Sequence, residues 1–300
     1  MEKLLSLAFD NLSSYDGPKI RKGLRQVEGL LAQICLLSTS REKDAGGGGG
    51  GGAGQPAPPP KHLGQLVRDP AFRQFFKLQE GFECNVALRL IGTLDRLMAK
   101  GSDGQNDLLI LSALDLIQGV MLLHPPSKTL FAREQNMNLL LDLLEPYNCP
   151  AIQSATLLTL VVALLDTPNN TRAFEALDGL LTVTSLFKSR STAREVKLKL
   201  VEFLYCYLMP ESPSIPRASS FARDSLPAML QRSPSKLAGA FAGGDDGRQS
   251  RRGTFRGVCI PTGLTLSTDD KQNLLSRHLS NVDDLVKDLR NCSPFGGVVV

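Results

Sequence analysis

The chain has 300 residues, 42% of them hydrophobic, and a formal net charge of +4. That is enough apolar material for a sizeable core, and so mild a charge does not by itself imply a nucleic-acid partner. No apolar run reaches the roughly 18 residues of a bilayer span; the longest candidate, 155–165, contains Thr156 and Thr159 and stops at Asp166.

The first residues lack the basic start and small-residue cleavage pattern of a signal peptide. They carry Leu4, Leu5, Leu7 and Ala8, the apolar face of a short helix. Asp16-Gly17-Pro18 opens a longer one, with aspartate as N-cap and proline in the first turn. Ile20, Leu24, Val27, Leu31, Ile34 and Leu37 then recur at helical spacing. From 41 to 61 the pattern gives way to a glycine run and PAPPP, a composition expected to form a flexible insertion without chemistry of its own. Asp69-Pro70 restarts helix, with Phe72, Phe75, Phe76 and Leu78 as an aromatic patch, and 85–98 supplies the next through Leu88, Ile91, Leu94 and Met98.

The stretch from 108 to 210 repeats itself at roughly 43 residues, within the range of helical repeats. Segments 108–121 (LLILSALDLIQGVM), 151–164 (AIQSATLLTLVVAL) and 194–207 (REVKLKLVEFLYCY) superpose Leu114, Leu157 and Leu200, and likewise Ile117, Leu160 and Phe203. Each is closed by a proline: Pro125, Pro168 and Pro210. Between them, 127–144 aligns with 170–187, placing Phe131 on Phe174, Leu140 on Val183 and Leu143 on Leu186. The segment 76–82 echoes 174–180, a divergent earlier unit in which Gly81 and Gly179 are expected to end a helix in a left-handed conformation. Thr192 and Glu195 have the spacing of a capping box. Units that cannot bury their apolar faces alone must stack, so the expected fold is all-α, an armadillo-like solenoid over 1–210.

Beyond it, 211–266 is rich in Ser, Pro and Arg and is expected to be a disordered linker. Ser212-Pro213 and Ser233-Pro234 fit proline-directed kinases, while Ser220 and Thr254 follow arginines as basophilic kinases require. Phosphate at any of them would add charge beside basic neighbours. Ser267-Thr268-Asp269-Asp270 starts a last helical segment, 267–300, with a stripe of Leu275, His278, Leu279, Val282, Leu285, Val286 and Leu289. Too apolar to stand alone in water, it is expected to dock, either on a partner or, as its tether favours, back onto the solenoid.

The sequence carries little reaction chemistry. Cys35 and Arg41 satisfy the C-x5-R spacing of a cysteine phosphatase, but the intervening residues contain no glycine and the cysteine ends a helix instead of opening one. A helix C-terminus disfavours a thiolate. His62, His124 and His278 are far apart and none has a partner at metal-ligand spacing, so neither metal nor cofactor is expected. His124, at a helix end, is expected to serve as a cationic or hydrogen-bonding cap. The glycine run lacks the GKS/T ending of a phosphate loop. Six scattered cysteines (Cys35, Cys84, Cys149, Cys206, Cys259, Cys292) without a CxxC pair fit a reducing compartment.

The blocks 1–36 (with LLSLAFDNLSSYDGPKIRKGLRQVEGLLAQICL), 182–216 (TVTSLFKSRSTAREVKLKLVEFLYCYLMPESPSIP) and 271–298 (KQNLLSRHLSNVDDLVKDLRNCSPFGGV) together resemble the fungal cell division control protein fourteen family of the septation initiation network. This is the non-phosphatase family that shares its name with an unrelated phosphatase. The resemblance implies a non-catalytic subunit in the cytoplasm and at the spindle pole body. Its implied partner is a germinal-centre-type serine/threonine protein kinase, and its implied role is in triggering septation and cytokinesis. It carries over no site residues, and neither nucleic-acid binding nor membrane insertion is expected. The competing readings are an armadillo-type scaffold of a formin-like cytoskeletal pathway and a phosphatase using Cys35; fold alone cannot separate them.

Overall fold

Proline sets the punctuation of this chain. Pro70, Pro125, Pro150 and Pro168 each occupy the first position of a helix, where the missing N–H costs nothing and the fixed φ is already helical. Pro125 and Pro168 were expected to close the long helices before them; they open the short helices that follow, after turns at His124 and at 165–167.

The computed structural model describes residues 1–36, 60–99, 104–211, 265–284 and 287. Among these the architecture is all-α. The helices are α1 (Glu2–Leu12), α2 (Gly17–Cys35), α3 (Leu63–Arg68), α4 (Pro70–Gln79), α5 (Val86–Ala99) and α6 (Asp107–Leu123). A 3-10 helix (Pro125–Ala132) precedes α7 (Glu134–Asp142), α8 (Pro150–Leu164), α9 (Pro168–Ala176), α10 (Gly179–Lys188), α11 (Arg194–Leu208) and α12 (Thr268–Ser276).

The long helices stack in chain order: α2 packs on α6, α6 on α8 and α8 on α11, with the shorter helices against them. The superposable positions form the core. Leu114, Leu157, Leu200, Ile117, Leu160 and Phe203 are all buried, as are Phe131 with Phe174, Leu140 with Val183, and Leu143 with Leu186. Buried polar side chains tie one unit to the next. Asn170 donates to the carbonyls of Lys128 (2.8 Å) and Ala163 (2.6 Å), and Gln118 reaches Thr159 at 2.9 Å and the carbonyl of Ala155 at 3.2 Å. Such bonds satisfy groups that would be costly to bury alone.

Residues 37–59, most of the expected insertion together with Leu37 of the α2 stripe, lie outside the described residues. The chain leaves and returns at one point: Leu36 and Pro60 form an antiparallel bridge and Lys61 N–H donates to the Cys35 carbonyl at 2.8 Å. The Lys61 ammonium donates to the Ile34 carbonyl at 2.8 Å and pairs with Asp69, and that bond holds the Asp69 carboxyl below its ordinary pKa. Asp69 caps α4, accepting from Ala71 N–H at 2.7 Å.

Several local expectations are corrected. In α1 the buried face is Leu5, Ala8, Phe9 and Leu12, whereas Leu4 and Leu7 are exposed, because packing on α2 rotates the stripe by about one position. Leu90 and Leu97, not Leu88 and Met98, complete the buried face of α5. The left-handed residue before α10 is Asp178, at φ 57°, not Gly179. Glycine is required at 179 for space: a Cβ there would lie 2.3 Å from the Phe174 ring. Gly81 likewise shows no left-handed backbone. No capping box forms at α11, since Thr192 Oγ1 donates instead to the Leu186 carbonyl at 2.7 Å and Ala193 is the N-cap.

Candidate functional site

Two regions place polar chemistry where the core would not require it. The first joins the C-terminal helix to the last repeat unit. Ser267 caps α12 reciprocally with Asp270, so the helix starts where its sequence indicates. Lys271 and Leu275 on α12, and Leu279 and Val282 in the segment that follows it, are all buried, and α12 packs on α11. A helix of nine residues is marginal in water, so packing supplies its stability. Full burial of three such apolar side chains is worth roughly 5 kcal/mol before entropy is counted.

The cation on that face is matched. Lys271 Nζ lies 3.2 Å from Glu211, donates to the Met209 carbonyl at 2.9 Å and sits 5.2 Å from the centre of the Tyr207 ring. Glu211 also takes Arg172 at 2.6 Å, and Arg172 lies 3.2 Å from Glu175, which accepts from the Tyr207 hydroxyl at 2.7 Å. The backbone closes the same joint: Glu211 N–H donates to the Leu266 carbonyl at 3.2 Å, and Leu266 N–H donates to the Glu211 carboxylate at 3.0 Å. Burial raises the Glu175 carboxyl and lowers Lys271, with Glu211 opposing the latter. The ion pairs and the backbone bonds together therefore hold Leu266 and Glu211, 55 apart in sequence, in contact. This is a structural clamp.

The second region is the outward face of the stacked long helices. Leu108 is 70% exposed on α6, Leu158 49% on α8 and Leu198 58% on α11, large apolar side chains that a closed core would have taken in. At its α2 end this face sinks into a cleft of about 470 Å³ lined by Arg21, Arg25, Glu28, Leu108, Leu111 and Asp115. Burial, reinforced by Glu28, raises the Asp115 carboxyl.

Of the sequence-derived site residues, Leu275, Leu279 and Val282 are buried against the clamp. Leu285, Val286 and Leu289 lie outside the described residues, as do Ser212, Ser220, Ser233 and Thr254 and the linker that carries them. Arg41 is also outside them, so the C-x5-R spacing has no geometry; burial pushes the Cys35 thiol up, away from thiolate character. His124 is buried, its Nδ1 is 2.8 Å from Ser127 Oγ, and burial lowers its pKa, so it is a neutral hydrogen-bonding residue and not a cationic cap. Among the described residues no group of three or more His, Cys, Asp or Glu could hold a metal ion, and no helix is long and apolar enough to cross a membrane.

Sequence reasoning missed the clamp and the cleft. Each had one signal: Lys271 stands on the same stripe as Leu275, and Asp115 interrupts an otherwise apolar helix. A charge on a buried stripe, as at Lys271, implies a buried partner, whereas Asp115 is exposed and marks only a break in the apolar run.

These features define an all-helical protein whose long helices present an open surface and whose C-terminal helix is fastened to its last unit. The family model described as cell division control protein 14, SIN component, matches residues 1–295, and the chain belongs to that family. SIN denotes the septation initiation network, and the family is described as a component of it, not as a phosphatase. A relative in Schizosaccharomyces pombe, cell division control protein 14, is 27% identical over 304 residues, covering 99% of this chain and 97% of that protein. No solved structure matches.

Proposed function

We propose that this protein is a non-catalytic regulatory subunit of the septation initiation network. In this reading it binds a germinal-centre-type serine/threonine kinase and supports its placement at the spindle pole body and its action in septation and cytokinesis. The observation that carries this reading is the family match across 1–295. The stacked long helices support an armadillo-like solenoid as the scaffold, since repeat units packed in chain order and joined by buried polar bonds are how such arrays are built. The raised Cys35 thiol supports a non-catalytic role.

The experiment is affinity purification of the full chain from mitotic cells. The reading expects a kinase of that class at near-equal amounts. Its absence from wild-type eluates under low salt contradicts the reading.

A further inference from the structure

The long helices α6, α8 and α11 repeat residue by residue, yet one set of equivalent positions differs in burial. Leu122, Leu165 and Leu208 stand one repeat apart, each at the C-terminal end of its helix. Leu122 is 63% exposed and Leu165 44%, whereas Leu208 is fully buried. The element that makes the difference is α12. Its Lys271 brackets Leu208, donating to the Met209 carbonyl at 2.9 Å and lying 5.2 Å from the centre of the Tyr207 ring. Leu275 of the same helix joins Leu208 in the core. A short amphipathic helix therefore covers in the last unit a position that the two units before it leave open. The open positions run on from the covered one. Leu165 shares a concavity with Met209, Glu211 and Lys271, and its carbonyl accepts from the Lys128 ammonium, just beyond the end of α6, at 3.0 Å. The ridge thus passes from the end of α6 over the end of α8 to the edge of α12 itself.

We infer that the ridge of Leu122 and Leu165 is the docking surface for a short amphipathic helix of the protein partner, laid against the ends of α6 and α8 as α12 is laid against the end of α11. The kind of occupant follows from α12, which shows what closes this position when it is closed. Equivalent positions of a repeat array offer equivalent surfaces, so the element that fits one fits its neighbours. The partner's helix carries an apolar side chain one turn after a lysine or arginine, as Leu275 follows Lys271 on one helix face. Its apolar side chain covers Leu165, and its cation meets Asp166, which lines the same concavity at the end of α8, where the helix dipole also favours positive charge. The chain's own α12 leaves the ridge free, because the bonds between Leu266 and Glu211 commit it to α11. The inference rests on the adaptor reading above and names the part of the surface that performs it.

The test uses the full chain as wild type, as Leu122→Asp/Leu165→Asp, as Leu122→Ala/Leu165→Ala and as Leu4→Asp/Leu7→Asp. Leu4 and Leu7 are exposed apolar residues of α1, outside the ridge, and serve as comparators. Each form is purified from mitotic cells to read kinase recovery, and each is titrated against a fluorescent peptide of residues 266–284, the α12 pattern itself, to read anisotropy. The aspartates are expected to reduce both kinase recovery and peptide affinity about tenfold or more, since the docked helix would bury unpaired carboxylates. The alanines give a smaller loss, the comparators none, and all four forms melt together. Kinase recovery or peptide binding unchanged by the ridge variants overturns the inference, as does an equal loss in Leu4→Asp/Leu7→Asp or a wild type that binds no peptide. Light scattering that shows a wild-type dimer and a monomeric ridge variant also overturns it, because the occupant is then a second copy. If the aspartate variant does not fold, the alanine variant decides. If the wild type brings down no kinase, the adaptor reading fails, and the ridge is then judged by the peptide alone.

Discussion

Single residues in this molecule are chosen as often for space and hydration as for apolarity. Gly179 is the clearest case, because a Cβ would lie 2.3 Å from the Phe174 ring and 2.6 Å from its carbonyl oxygen, and neither can yield without disturbing the core. Gly179→Ala is expected to lower stability by about 2 kcal/mol, the scale of overpacking a tight core, read by denaturant midpoint. Gly23 marks the analogous close approach of α2 to α1: a Cβ there would lie 3.0 Å from the Ala8 carbonyl oxygen. The sequence marked Gly179 as special through the echo at Gly81, but for the wrong reason; backbone turn and steric gap leave the same letter. His124 gives a pH prediction. Its folded pKa is depressed by burial below 6.5, with Glu80 opposing, so the unfolded chain binds the proton more readily. Its stabilisation is therefore present above pH 6.5 and is lost as pH falls through the folded value. The melting temperature is expected to fall between pH 7 and pH 5, and less steeply in His124→Gln.

At the scale of elements, periodicity did most of the work. The positions that superpose between α6, α8 and α11 are buried in all three, since a helix packed on both sides has few other ways to arrange its leucines. What periodicity could not supply was phase at the ends of the chain. For α1 it marked Leu4 and Leu7, which face outward because α2 and α5 pack on the other side and decide which face is inner. It also omitted α3, six residues long and too short to display a period. The C-terminal helix was legible as an amphipathic stripe. Its clamp was not, because Glu211 and Lys271 pair across a separation that no local pattern encodes. Leu275→Asp is expected to release α12: the melting temperature falls and amides in 268–276 exchange faster, while those of α6 and α8 keep their protection. Glu211→Ala leaves Lys271 without its carboxylate in a buried site and is expected to cost about 3 kcal/mol.

Over the whole molecule, the sequence indicated an all-α fold, which holds among the described residues, and the family to which the chain belongs. The groove's chemistry was not legible, because it is built from α2 and α6, whose cleft residues are more than 75 positions apart and meet only when the units stack. The long connection between α2 and α3 is expected to contribute little to this assembly. Leu36 and Pro60 are already bridged, so the closure is fixed at its ends, and loop entropy changes slowly with length. Deleting 46–59 is expected to shift stability by less than about 1 kcal/mol, measured by thermal melt, with kinase recovery intact.

The central claim is that this chain serves as a stoichiometric subunit of a kinase complex. The most direct measurement is the mass in solution of the purified full chain mixed with the purified kinase, by light scattering on a sizing column. The account predicts one species whose mass is the kinase plus this 32.5 kDa chain, in equal proportion, at physiological salt. Two separate peaks at micromolar concentrations of both, each with its own mass, would contradict it.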